Sequence, residues 1–226
     1  MKNTRLVQYG VYIFLLLIAF TGCKKKDSSL PVITLIGGNS VQQILNTPWT
    51  EPGYTASDNT DGDITSNVIV KGKINKDLAG TYVITYTVAD NAGNETSVYR
   101  SVTIYNEANF LSGKYFAKDT SNLLTATTFT ATLTPSNTIN KELIIENFGR
   151  WDSICHCVAT VKMNISGKNI NSVLFWNKQQ IANNDSILAA SNGGAITNLS
   201  PATLSFSYQW TNGSSTSICS STYNHL

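Results

Sequence analysis

Gly80-Thr81-Tyr82-Val83-Ile84-Thr85-Tyr86-Thr87-Val88-Ala89-Asp90-Asn91-Ala92-Gly93-Asn94 is the stretch whose reading decides the fold. Tyr82, Ile84, Tyr86 and Val88 fall on one face, and Val83, Thr85 and Thr87 on the other. Successive side chains of a strand point to opposite faces, so this period of two predicts a half-buried β-strand. Its β-branched and aromatic residues fit that reading. Asp90 to Asn94 is rich in residues that turn a chain by bonding their own backbone or by tolerating positive φ. Thr96 to Tyr105 then returns as a second strand.

Upstream of this hairpin the same grammar repeats. Pro31 starts an extended run, Val32-Ile33-Thr34-Leu35, which Gly37-Gly38-Asn39 breaks and Val41 to Leu45 resumes. Pro48 and Pro52 punctuate a turn over Trp49 to Gly53, with Trp49 expected to cap the sandwich. Tyr54-Thr55-Ala56 runs into Ser57-Asp58-Asn59-Thr60-Asp61-Gly62-Asp63, and Ile64 to Val70 reads as one more strand. Short alternating strands with Gly, Asn and Asp turns, over fewer than about 80 residues, predict a small β-sandwich. Four motifs occur in order: Glu51-Pro52-Gly53-Tyr54, Asp61-Gly62-Asp63-Ile64-Thr65, Gly80-Thr81-Tyr82 with Tyr86, and Ala89-Asp90-Asn91-Ala92-Gly93-Asn94. With these motifs, Pro31 to Tyr105 resembles the immunoglobulin-like modules of bacterial surface proteins. The resemblance implies a spacer or adhesion module and no catalysis.

Two loops of this segment are rich in oxygen ligands. Asp58, Asp61 and Asp63 sit on one, and Asp90, Asn91 and Asn94 on the other. In a sandwich of the resembled order both loops lie at one end. Calcium takes six to eight oxygens, which makes these residues a candidate calcium set. The competing reading is turn chemistry alone. The EF-hand pattern is not met, because position 12 counted from Asp58 is Ile69.

The N-terminus carries an address. Lys2 and Arg5 precede an unbroken apolar run from Val11 to Phe20, then Thr21-Gly22-Cys23. A positive start, a short apolar run and a small-residue cleavage site make a secretory signal. The run is shorter than the ~20 residues a bilayer span needs. Gly22-Cys23 resembles the lipobox of bacterial lipoproteins, although Phe20 stands where Leu is usual. The resemblance implies acylation of Cys23, an outer-membrane lipid anchor and exposure at the cell surface, with the periplasmic face as the alternative. Each buried methylene of such a chain contributes ~0.8 kcal/mol. Residues 24–30 read as a polar tether, 31–106 as the immunoglobulin-like domain, Asn106 to Asn109 as a short hinge, and 110–226 as a second domain.

The second domain is again all-β. Expected strands are Lys114 to Lys118, Phe129 to Leu133, Lys141 to Phe148, Ile154 to Met163, Asn171 to Trp176, Ser186 to Ala190, Leu204 to Trp210 and Thr216 to Ser220. Leu204, Phe206, Tyr208 and Trp210 alternate with Ser205, Ser207 and Gln209, which places the first four in a core. About eight sequential strands with short turns predict an antiparallel up-and-down barrel or a flattened sandwich. Phe110 to Tyr115, Leu143 to Gly149 and Ala195 to Trp210 are similar to the lipocalin-like C-terminal domains of Bacteroidetes surface lipoproteins. That similarity implies a compact barrel and names no substrate.

Charge is nearly balanced, with 16 Lys and Arg against 14 Asp and Glu, so nothing favours a nucleic-acid partner. With Cys23 set aside, Cys155, Cys157 and Cys219 remain. Cys155 and Cys157 face the same way on a strand and compete for Cys219. A Cys157–Cys219 disulfide is the favoured pairing, and three buried thiols are the alternative. For a glycan ligand, Trp151 with Arg150 and Asp152 in a polar turn is the candidate platform, and Trp176 is a second. No nucleophile elbow, His-Glu-x-x-His helix or phosphate loop occurs. His156 and Cys157 point apart on a strand and make no catalytic pair. Distant paired carboxylates for glycoside hydrolysis stay open as an alternative, but acidic residues of the second domain are few, namely Asp119, Glu142, Glu146, Asp152 and Asp185, of which Glu146, mid-strand, has a position that allows it to face a barrel interior. The reading is a non-enzymatic envelope lipoprotein that binds a glycan or another extracellular ligand. The alternatives are an accessory subunit of an outer-membrane protein complex and a barrel that carries a small apolar ligand.

Overall fold

The computed structural model describes residues 26–121, 126–148, 159–169, 173–175, 179–182, 185–212 and 215–226. The chain divides into two compact units. One comprises Met1–Thr34, Tyr54–Ile69 and Tyr86–Val98; the other comprises Leu35–Gly53, Val70–Thr85 and Tyr99–Leu226. Cys23 lies outside the described residues, as do Arg150, Trp151, Asp152, Cys155, Cys157 and Trp176.

The first seven strands are β1 (Val32–Leu35), β2 (Ser40–Ile44), β3 (Tyr54–Asp58), β4 (Gly62–Asp63), β5 (Ile69–Lys71), β6 (Gly80–Ala89) and β7 (Glu95–Tyr105). They form a three-stranded sheet, β1-β3-β4, and a four-stranded sheet, β2-β7-β6-β5. This is the expected immunoglobulin-like β-sandwich. β2 runs parallel to β7, with Ser40 opposite Ser101 and Ile44 opposite Tyr105. The alternation in β6 holds: Ile84, Tyr86 and Val88 are buried, whereas Val83 is 53% exposed. Tyr86 packs on Tyr54 with ring centroids 5.2 Å apart.

The structure also explains the Glu-Pro-Gly-Tyr motif. Arg100, on β7, is fully buried. Its Nη1 pairs with the Glu51 carboxylate, and its Nη2 donates to the carbonyls of Ile36 (2.7 Å) and Gly53 (3.1 Å). A buried guanidinium needs such partners for its charge and its donors. The expected strand Ile64 to Val70 is corrected, because a 3-10 turn at Thr65–Asn67 interrupts it. Asp63 Oδ1 accepts the Thr65 N–H (2.9 Å), and Thr65 Oγ1 accepts the Ala56 N–H (2.9 Å). Such side-chain bonds to backbone compete with a continuous ladder.

The remaining strands are β8 (Gly113–Ser121), β9 (Thr127–Pro135), β10 (Glu142–Phe148), β11 (Ala159–Ile165), β12 (Val173–Phe175), β13 (Gln179–Ala182), β14 (Asp185–Leu199), β15 (Ala202–Asn212) and β16 (Ser215–His225). They make one sheet in the order β12-β11-β10-β9-β8-β16-β15-β14-β13. β12 also pairs with β14, Val173 opposite Ala195, so the sheet curls onto itself. The pairings are antiparallel and mostly join consecutive strands, which is the up-and-down arrangement the sequence predicts. Tyr115 and Ala117 on β8, Val161 and Met163 on β11, and Leu204, Phe206 and Tyr208 on β15 point into its core.

Three features depart from the expectations. β13 is an additional strand. β14 does not stop at Ala190 but runs through Ser191-Asn192-Gly193 to Leu199. Gly194 permits this, since a Cβ there would lie 2.2 Å from Phe206 Cβ and 2.8 Å from the Ser205 carbonyl oxygen. Glu146 faces outward rather than into the barrel, because it alternates with the buried Leu143 and Ile145. A bulge between Ile145 and Phe148 then returns Phe148 to the interior.

The expected hinge is a bonded joint, and its contacts lie within the second unit. Asn106 is 1% exposed and caps a 3-10 turn at Glu107–Leu111 through the Ala108 N–H (2.9 Å). Its Nδ2 donates to the carbonyls of Ser136 (2.7 Å) and Ile139 (2.9 Å), and its Oδ1 accepts the Lys141 N–H (2.8 Å). Asn46 adds bonds to the Asn140 N–H (2.8 Å) and the Thr138 carbonyl (3.0 Å).

Candidate functional site

At one end of the sandwich, Asp27, Asp58 and Asp90 each offer a carboxylate oxygen, and these oxygens lie within 4.8 Å of one another. Asp58 ends β3 and Asp90 follows β6; each is 8% exposed. Asp27 precedes β1. Local turn chemistry holds each side chain in place. Asp58 Oδ1 accepts the N–H groups of Thr60 (2.8 Å) and Asp61 (3.0 Å). Asp90 takes both donors of Asn94, the backbone N–H at 2.7 Å and Nδ2 at 2.6 Å. Asn94 Nδ2 also reaches the Asp27 carbonyl at 3.3 Å. Asp27 Oδ1 accepts the Ser29 N–H (3.0 Å). Asp58 Oδ2 is buried and accepts no hydrogen bond.

The backbone N–H of Ser29, followed by the Thr60 hydroxyl, holds the Asp27 carboxyl below its ordinary range. Burial opposes ionisation of Asp90, but donors from Asn94, Gly93 and Ala92 outweigh it and keep that carboxyl low as well. The cluster is therefore anionic at neutral pH through at least these two members.

The oxygen-rich residues singled out in the sequence are thus divided. Asp58 and Asp90 come together, with Asn94 beside them. Asp61 instead ties the two loops, accepting the Asn91 N–H at 2.8 Å and its Nδ2 at 2.6 Å. Asp63 is exposed and caps Thr65. Asp27, read from the sequence only as tether, is the third carboxylate. No local pattern marks it, because its contact with Asn94 spans 67 positions.

The barrel holds a second polar group, which the sequence reading did not single out. Asp119, on β8, is 2% exposed and points inward. Tyr208 donates to its Oδ2 (3.0 Å) and Ser221 to its Oδ1. Burial pushes the Asp119 carboxyl up to about 6 despite these two donors. Cys219 is buried, with no disulfide partner among the described residues; burial, then the neighbouring Asp119 charge, pushes its thiol up to about 12. A thiol so raised stays protonated and is a poor nucleophile. Its favoured disulfide partner, Cys157, lies outside the described residues.

Aromatic rings fill the space around this group. Phe148 stacks on Phe206 at 5.6 Å and packs on Tyr208 at 4.9 Å, and Phe206 meets Tyr223 at 5.1 Å. Trp210 packs partly buried against the same core. Both glycan platforms expected from the sequence, Trp151 with Arg150 and Asp152, and Trp176, lie outside the described residues. Trp49 is half-buried.

Residues 33–104 match the family model of the bacterial surface protein Ig-like domain. No curated protein matches the chain. Among solved structures, the lipoprotein BT2262 of Bacteroides thetaiotaomicron aligns at 20% identity over 85% of this chain and 99% of its own, with a TM-score of 0.35. A second aligns at 14% identity: CBM51-2 in complex with GlcNAc, with INT domains, of Clostridium perfringens ZmpB. It covers 87% of this chain and 48% of its own, with a TM-score of 0.29. Likenesses at such TM-scores bear on neither fold nor function. The family match falls within the segment, Pro31 to Tyr105, whose four ordered motifs resemble such modules.

Proposed function

We propose that this protein is a non-enzymatic lipoprotein of a bacterial cell envelope, anchored through Cys23 and displayed on the outer membrane. The immunoglobulin-like domain acts as a spacer, and the lipocalin-like barrel beyond it meets a glycan or another extracellular ligand. The observation that carries the reading is the bacterial surface Ig-like match at residues 33–104, directly behind a lipobox-like signal. The packed interior supports binding outside the barrel rather than within it. Among the described residues, Phe148, Phe206, Tyr208 and Tyr223 pack ring against ring in that interior.

The test is binding of the purified protein to a panel of host and plant polysaccharides. Saturable binding that Trp151→Ala abolishes supports glycan recognition by the second domain. No binding across the panel refutes the glycan reading and favours the accessory role, in which the partner is an outer-membrane protein recovered by cross-linking on intact cells. Labelling of Cys23 with a radioactive fatty acid, absent from Cys23→Ser, tests the anchor.

A further inference from the structure

We propose that Asp27, Asp58 and Asp90 form a binding site for a divalent cation of the calcium class, which fastens the segment following Cys23 onto the loop end of the sandwich. Three carboxylate oxygens within 4.8 Å repel one another unless a positive charge joins them. Among the described residues, no ion pair includes any of the three. The second observation is the state of the free oxygens. Asp58 is more than nine-tenths buried, yet its Oδ2 has no donor. Buried acceptors left unpaired are costly and rare, and an ion is one of the standard reasons for them. The nearby N–H groups of Thr60, Asp61, Ser29 and Asn94 are already bound to other atoms of these residues. They orient the carboxylates and leave Asp58 Oδ2 free.

The donors are all hard oxygens, with no His or Cys among the three, which selects calcium or magnesium over zinc. Calcium accepts irregular geometry and completes its six to eight ligands with carbonyls and water, as an exposed loop cluster requires. Asp27 lies four residues from Cys23, so occupancy would immobilise the tether where it leaves the membrane.

The experiment is calorimetric titration of the EDTA-stripped full chain with calcium chloride, with hydrogen exchange measured in both states. The expected result is saturable binding of one ion, with Kd at or below the ~10⁻⁴ to 10⁻³ M range of extracellular calcium modules. Asp58→Asn and Asp27→Asn should each weaken it at least about tenfold, since affinity follows the number of charged ligands. Asp63→Asn should leave it unchanged. Amides of residues 26–31 should exchange more slowly with calcium bound. Asp27→Asn precedes β1 and keeps the test decisive if Asp58→Asn fails to fold. Absence of saturable binding at millimolar calcium would overturn the site, as would binding that both Asn variants leave intact. Binding without slower exchange in residues 26–31 would overturn the fastening.

Discussion

Replacing Asp119 with Asn should remove a contribution to the pH dependence of stability that runs opposite to that of the carboxyls held below their ordinary range. In the folded barrel the Asp119 carboxyl is raised from 3.8 to about 6 by burial. Between these values the folded state keeps the proton and the unfolded chain does not. Unfolding then releases a proton, so this group's contribution falls as pH rises and levels off above about 6. A rise of about two pH units, at ~1.36 kcal/mol each, makes the loss about 3 kcal/mol. Asp27, Asp63, Asp77 and Asp90 have depressed carboxyls and act in the opposite sense. The wild-type curve alone therefore mixes the two. The difference between wild type and Asp119→Asn isolates one, because Asn keeps the shape and an acceptor for Tyr208 or Ser221. Urea unfolding of both proteins from pH 4 to 8 should show wild type losing about 2.5 kcal/mol relative to the variant across this range, the rest of the loss lying below pH 4. A difference that stays flat with pH, or a carboxyl carbon signal of Asp119 that titrates near 4, would refute the reasoning.

Further outcomes follow from other buried contacts. Glu51→Gln leaves the buried Arg100 guanidinium without its carboxylate and should destabilise the sandwich by about 3 kcal/mol in chemical denaturation. Phe148→Ala opens a void among Phe206, Tyr208 and Tyr223 and should cost about 3–5 kcal/mol, read from the shift in urea midpoint. Gly194→Ala forces a methyl onto Phe206 Cβ and should cost at least ~1–3 kcal/mol, with Val→Ala at the exposed Val83 as the near-neutral control. Cys219 should resist a thiol reagent at pH 8 in the native protein and react on unfolding, as counted by mass spectrometry of its peptide.

Alternation is a local property, and wherever one face of a strand is buried it is written in a few consecutive residues. Tyr82 to Val88 and Leu204 to Tyr208 therefore announced their strands, their inward faces and the all-β class. The order of short strands and turns conveyed a sandwich followed by an up-and-down barrel for the same reason. The motif Glu51-Pro52-Gly53-Tyr54 was visible as a motif, but its purpose was not, because Arg100 lies 49 positions away. Local reading also stopped β14 at residues that look like a turn, and Gly194 shows why it continues: the strand presses on Phe206 of its neighbour. The two polar clusters belong wholly to the tertiary level. Loop composition proposed six oxygen ligands, whereas closure of the sandwich brought two of their carboxylates together and supplied Asp27 as the third. Asp119 sits in a strand of ordinary composition. Alternation with Tyr115 and Ala117 turns it inward, but only the pairing of β8 with β16, and of β16 with β15, sets Ser221 and Tyr208 against it. A residue's period along the chain is set by its own backbone, but its partners are set by which strands the whole chain can afford to bury together.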